Sequence, residues 1–292
     1  RLQALGYLGG SSGGGTRDYG PEDDPKNLIH LDAAVQRAVR ELEAGEINAA
    51  IVHLEAVLEE RPDFVSAILK LATAEVGRGD LEAGIARLQA AAQEEWATTH
   101  LRRGLGVYLL AAGRLDEAAA VLQQVIEEDP GNIEAMNVLS TVHRDAGRPG
   151  EAMRQVEAAL LLDPTYAELH LNRGELLVRA GRLVEAQEAL QRALTYDPRL
   201  SSAHNMLGKI AFDDGRPAEA IEHWRTAIAH NPADYKSMRN LGIELVKANR
   251  FAEGVDVLEQ LFKAVPPGLE EEYQIMQLRV MVVRIKRDQG IR

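Results

Sequence analysis

Positions 103, 137, 171, 205 and 239 stand 34 residues apart and hold Arg103, Asn137, Leu171, Asn205 and Arg239. A guanidinium offers a planar fork of donors and a carboxamide offers both a donor and an acceptor, so this series suits recognition of backbone amides and carboxylates. A parallel series four residues on reads Val107, Thr141, Glu175, Lys209 and Ile243, and a third adds Arg144, Arg179, Phe212 and Lys247 beside Asp145 and Asp213. Bond-making chemistry has no comparable pattern. The chain has no cysteine, which removes thiolate nucleophiles and disulfides. No His-Glu-x-x-His occurs, Gly104-Leu105-Gly106 lacks a third glycine, and the Gly9–Gly15 tract has neither a preceding strand nor a following Lys-Ser or Lys-Thr. His170 and His204 share the 34-residue spacing and are placed to face each other, but a metal site needs more ligands in fixed geometry. The expectation is a chain with no cofactor, no metal and no catalytic residues.

The elements that position these side chains are set by the same interval. Pro62, Pro130, Pro164, Pro198, Pro232 and Pro266 are separated by 34 or 68 residues, and Trp96 occupies the missing place. Seventeen residues before each of these positions come Gly45, Gly79, Gly113, Gly147, Gly181, Gly215 and then Asn249, residue types that accept positive φ at a helix end. Small residues recur twelve before (Ala50, Gly84, Ala118, Ala152, Ala186, Ala220, Gly254) and twenty-four before (Ala38, Ala72, Gly106, Ser140, Gly174, Gly208, Gly242). Large ones, among them Leu88, Leu122, Leu190, Trp224 and Leu258, fill the space between them. Such a period predicts stacked helix–turn–helix units, each burying its apolar face on its neighbours. Asp80, Asp116, Pro149 and Pro217 mark starts of second helices, and the closing Asp-Pro or Asn-Pro ends them. Trp96 lacks the helix-ending proline, so the helix from Leu88 is expected to run on toward Thr98 and Thr99, which would cap the next one.

The units resemble the tetratricopeptide repeat. The family's Leu-Gly, Gly-Arg-x-x-Glu-Ala and closing Asp-Pro read here as Leu105-Gly106, Gly113-Arg114-Leu115-Asp116-Glu117-Ala118 and Asp129-Pro130. They recur as Leu207-Gly208, Gly215-Arg216-Pro217-Ala218-Glu219-Ala220 and Asn231-Pro232. The resemblance implies an all-α, right-handed α-solenoid of seven repeats: 31–64, 65–98, 99–132, 133–166, 167–200, 201–234 and 235–268, followed by a capping helix over 269–292. It also implies that first helices line a concave groove. The 103 and 107 series, with their upstream members Val35, Leu69, Val39 and Thr73, would then point into that groove. The chaperone-binding sub-type carries a Lys/Asn carboxylate clamp; Asn172 and Asn240 match its middle Asn, but Asn137, Asn205 and Ser202 occupy its Lys places, so the clamp is incomplete.

Composition bounds the partner. A net charge of −12 argues against a nucleic-acid ligand, and no apolar run is long enough to span a membrane. The first helices from position 103 onward nevertheless carry more cations (among them Arg103, Arg144, Arg179, Lys209, Lys236, Arg239 and Lys247) than acids (among them Glu134, Asp145, Glu168, Glu175 and Asp213), which favours a carboxylate-bearing protein or peptide. Residues 1–30 differ from the rest. Leu2-Gln3-Ala4-Leu5-Gly6-Tyr7-Leu8, a Gly/Ser linker and Asp24-Pro25-Lys26-Asn27 resemble the junction of bacterial sulfatase-type proteins with a tetratricopeptide tail. That resemblance implies an upstream catalytic domain in the same polypeptide and an exported protein; no sulfatase nucleophile motif lies in this chain. After Pro266, Tyr273, Met276, Val280, Val283 and Ile285 are expected to form the apolar face of the cap, with Arg279, Lys286 and Arg287 outside it. The expected function is a scaffold binding a peptide or partner domain in the groove, with a purely structural or oligomerising module and a stand-alone adaptor as alternatives.

Overall fold

The computed structural model describes residues 25–266, 268, 269 and 274–291. Residues 1–24 of the proposed sulfatase-type junction and Tyr273 lie outside the described residues, while the rest of the segment set apart from the repeats, 25–30, is the first part of a helix; no strand occurs among the described residues. The chain divides into two compact units, one ending at Leu162 and the other beginning at Asp163.

The first unit consists of four helix pairs: α1 (Pro25–Glu43) with α2 (Ile47–Glu60), α3 (Val65–Gly77) with α4 (Leu81–Ala92), α5 (Thr99–Ala111) with α6 (Leu115–Glu128), and α7 (Ile133–Asp145) with α8 (Pro149–Leu162). The second holds α9 (Ala167–Arg179) with α10 (Leu183–Tyr196), α11 (Ser201–Asp213) with α12 (Pro217–His230), and α13 (Tyr235–Lys247) with α14 (Phe251–Ala264), then α15 (Ile275–Gln289). In each unit every second helix packs on the first helix of the next pair.

Each first helix stops the same way. The glycines at 45, 79, 113, 147, 181 and 215 all have positive φ, and Asn249 takes the same conformation at φ 61°. The amide after that residue bonds back five residues, as in Arg114 N to Leu109 O (2.9 Å) and Arg250 N to Leu245 O (2.8 Å), satisfying carbonyls the helix leaves open. The small-residue series lets the paired axes close. A Cβ placed on Gly106 would sit 2.6 Å from Leu122, and one on Gly208 would sit 2.6 Å from Trp224. Leu122 and Leu190 are completely buried and Trp224 is 3% exposed, so these contacts form the floor of each hairpin.

Two expectations are corrected here. The helix containing Leu88 does not run on to Thr98: α4 ends at Ala92, and residues 93–97 form a turn whose amides reach back three residues. Trp96 packs half-buried against the apolar core beside it, and burying that ring replaces the missing proline as the reason to leave the helix. Thr98 does cap α5, its Oγ1 accepting from Leu101 N at 3.3 Å. The second correction concerns α15. Met276 (73% exposed), Val280 (50%) and Val283 (67%) face outward, while Ile275, Leu278 and Val282 are buried against Val255, Leu258 and Leu261. The helix is apolar on two stripes, and the one carrying Leu278 docks.

Candidate groove of the first helices

Within each unit, neighbouring first helices touch one another: α1 with α3, α3 with α5 and α5 with α7 in the first, and α9 with α11 in the second. Second helices show no comparable contact with each other. Within each unit the touching first helices therefore stand side by side as a wall, and residues on their outer faces are shared between adjacent repeats.

The 103 series has two kinds of member. Its apolar residues close the seam between first helices. Val35 is 2% exposed and packs with Leu31, Ala38 and Leu71, so it is core and not groove. Leu69 is half-buried, its Cδ2 close against Gly104 on α5, and Leu171 on α9 is also half-buried. The polar members reach outward. In the first unit Arg103 meets His100 Nδ1 (2.9 Å) and Glu134 (3.5 Å), the latter on α7. The His100 pKa is lowered, first by its burial and then by the Arg103 charge. Val107 is exposed on α5, while Asn137, Thr141 and Arg144 lie half-buried along α7, with Arg144 Nε donating to Asp145 (2.9 Å). In the second unit Glu175 is half-buried and Arg179 exposed on α9.

The remaining six candidates converge. A cleft of about 450 Å³ opens between α11 and α13. Asn205, Lys209 and Phe212 line it from α11, and Arg239, Ile243 and Lys247 from α13. Its geometry is held at several points. Asn205 Nδ2 donates to Ser237 Oγ (2.6 Å), and Ser237 Oγ donates in turn to Asp234 Oδ2 (2.9 Å) at the start of α13. Trp224 Nε1 donates to the Asn205 carbonyl (3.3 Å), and its ring lies 6.1 Å from Phe212. Lys247 Nζ stands 4.7 Å over the Phe212 ring and 3.5 Å from Glu244. Lys236, Asn240, Glu244 and Asp213 also line the cleft. The two series miss Lys236 and Glu244 because a series marks one position per repeat, whereas the cleft is lined by flanking positions as well. A smaller cleft of about 280 Å³ is lined by α12, α13 and α14, with Arg225 and Glu253 of its lining joined in an ion pair (2.9 Å).

The histidines do not form a metal site. His170 Nε2 bonds the Pro164 carbonyl (2.8 Å) and stacks on Tyr196, and His204 Nε2 bonds the Pro198 carbonyl (3.3 Å). Each thus binds its own repeat junction, and they do not face each other. His204 instead meets His223, Nδ1 to Nδ1 at 3.2 Å, and burial lowers the pKa of both. Among the described residues no group of three His, Asp or Glu is arranged to hold an ion, and no helix is long and apolar enough to cross a membrane.

Comparison with known proteins agrees with this architecture. A tetratricopeptide repeat family model matches residues 41–95, 109–159 and 143–210, and two further tetratricopeptide repeat models match 69–133 and 201–234. Among solved structures, a tetratricopeptide repeat protein from Parabacteroides merdae is similar over 84% of this chain and 97% of its own, at 12% identity and TM-score 0.66. Yeast Tom70 is similar over 94% of this chain and 62% of its own, at 14% identity and TM-score 0.67. A thermophilic tetratricopeptide protein of Thermus thermophilus is similar over 62% of this chain and 99% of its own, at 21% identity and TM-score 0.55. At these identities the likeness shows the fold alone. No curated protein matches the chain. With the family model spanning more than half of its length and the 34-residue hairpins built as described, the chain belongs to the tetratricopeptide repeat family.

Proposed function

We propose that this chain is an interaction scaffold that binds an extended segment of a partner protein along the first-helix wall, with the α11–α13 cleft as its anchoring site. The observation that carries this reading is the convergence of Asn205, Lys209, Phe212, Arg239, Ile243 and Lys247 on one cleft. Its volume falls within the roughly 300–1,000 Å³ of typical ligand sites, and it combines an aromatic floor with a few oriented polar groups. Recognition needs no bond-making group, and none is assembled there.

The test is selection of peptides from a random display library on the full chain, followed by titration against variants. Phe212→Ala and Arg239→Ala should each weaken the selected peptides at least tenfold. Glu188→Ala, on the exposed side of α10, should leave them unchanged. Peptides indifferent to both cleft substitutions would overturn the reading. A concentration-dependent oligomer with no selectable peptide would favour the structural module instead.

The residues Leu2-Gln3-Ala4-Leu5-Gly6-Tyr7-Leu8 and the following Gly/Ser tract support a finer reading, in which the scaffold is the tail of a sulfatase-type hydrolase. Its role would be assembly or positioning of substrate for the catalytic domain. Sequencing the gene upstream tests it: a continuous frame encoding an alkaline-phosphatase-like domain is expected, and a start codon directly before Arg1 would contradict it.

A further inference from the structure

We infer that the α11–α13 cleft selects an acidic segment, with carboxylates held by Lys209, Lys236 and Arg239 and an apolar side chain seated on Phe212 and Ile243. The inference rests on the groove reading above and names the partner's chemistry. Its basis is a local reversal of charge. The chain carries −12 overall, yet this cleft is lined by four cations and two carboxylates. Of the two acids, Glu244 is 8% exposed and lies against Lys247.

The state of the cations sharpens the argument. In the inter-helix turns, Arg114, Arg182, Arg216 and Arg250 each pair with the glutamate three residues on. Lys209, Lys236 and Arg239 have no such partner: among the described residues none of the three meets a carboxylate, and Arg239 reaches only the Asn240 amide at 3.5 Å. Lys209 and Lys236 are exposed, so their charges attract a ligand before contact and are screened by salt. Beneath them lies a fixed apolar patch. Phe212 is set between Trp224 and the Lys247 ammonium, and Ile243 is half-buried on the facing helix. A carboxylate-rich segment with one bulky apolar residue satisfies both layers. A basic segment leaves three like charges opposed.

The geometry also favours protein over nucleic acid. Among the described residues the cleft is lined by two aromatic rings, Phe212 and the buried Trp224, and these form no row on which successive bases could stack.

The test uses the full chain and three fluorescein-labelled peptides of equal length around a central Leu-Phe: one flanked by Glu and Asp, one by Gln and Asn, one by Lys. Anisotropy at low salt should show the acidic peptide binding at least tenfold more tightly than the amide peptide. The advantage should shrink as salt is raised. The double variant Lys209→Glu/Lys236→Glu should lose that advantage, with its circular dichroism unchanged because both side chains are exposed. Arg192→Glu, exposed on α10, should have no effect. Equal binding of the three peptides, no binding of the acidic one, or displacement of it by single-stranded DNA at equal concentration would overturn the inference. If Phe212→Ala weakens all three peptides alike while charge reversal changes nothing, the groove reading stands and the acidic preference falls. If neither change affects any peptide, the groove reading itself falls.

Discussion

Gly208 shows how little freedom some positions have. A methyl group there would meet the Trp224 indole at 2.6 Å, with the ring buried and unable to retreat. Gly208→Ala is therefore expected to lower unfolding stability by about 1–3 kcal/mol in urea titration. Gly150, in α8 with open space at the Cβ position, should respond in the opposite sense, Gly150→Ala gaining about 0.5–1 kcal/mol. Asn249 makes the same point through the backbone. It holds φ 61° where six glycines stand in the other repeats, so Asn249→Val should cost about 1–2 kcal/mol and Asn249→Gly far less. The histidines give a pH dependence with a definite sign. Burial lowers the pKa of His204 and His223, and also of His100 and His143, so the folded state resists their protonation. Unfolded histidines bind protons from about pH 6.5 downward. Stability is therefore full above that pH and falls as pH drops from there toward the depressed folded values. His223 has Glu219 at 3.9 Å and the Arg216 charge nearby, which act in opposite directions. Urea midpoints should be lower at pH 5.5 than at pH 7.5, and His204→Asn should reduce that difference; a midpoint independent of pH would contradict it.

The helices divide into those the repeat dictates and those it does not. Hairpin ends, small-residue contacts and caps were legible because each is fixed by a residue type at a fixed spacing: glycine where φ must be positive, Thr98 where an amide needs an acceptor. Where the repeat lapses, local pattern was ambiguous. The α15 segment has apolar residues on two stripes, and sequence alone offered no reason to prefer Leu278 over Met276, because the choice is made by the shape of the α14 surface it meets. The turn after Ala92 departs from the expected longer helix for a related reason: no proline marks it, and Trp96 packs against the core there. The α15 assignment is open to a direct check. Leu278→Ala should lower the unfolding midpoint by the equivalent of about 2–4 kcal/mol, while Met276→Ala should change stability by less than about 0.5 kcal/mol. The reverse order would place the other stripe against α14.

At the scale of the molecule, two compact units each present a wall of first helices, and the proposed function depends on that wall being where a partner lies. Periodicity predicted which positions share a face but not where that face opens into a cleft. The α11–α13 cleft is set by the packing of these two hairpins, which no spacing in the sequence encodes. The cysteine-free chain allows the central claim to be measured directly, since any introduced thiol is unique. Single-cysteine variants at Val107, Thr141, Glu175 and Lys209 on first helices, and at Val52, Glu188 and Glu222 on second helices, would be exposed to a thiol reagent with and without a display-selected peptide. The account predicts slower labelling at first-helix sites, greatest at Lys209, and unchanged labelling at the other three. Protection of the second-helix cysteines, with Lys209→Cys labelled at its free rate, would contradict it.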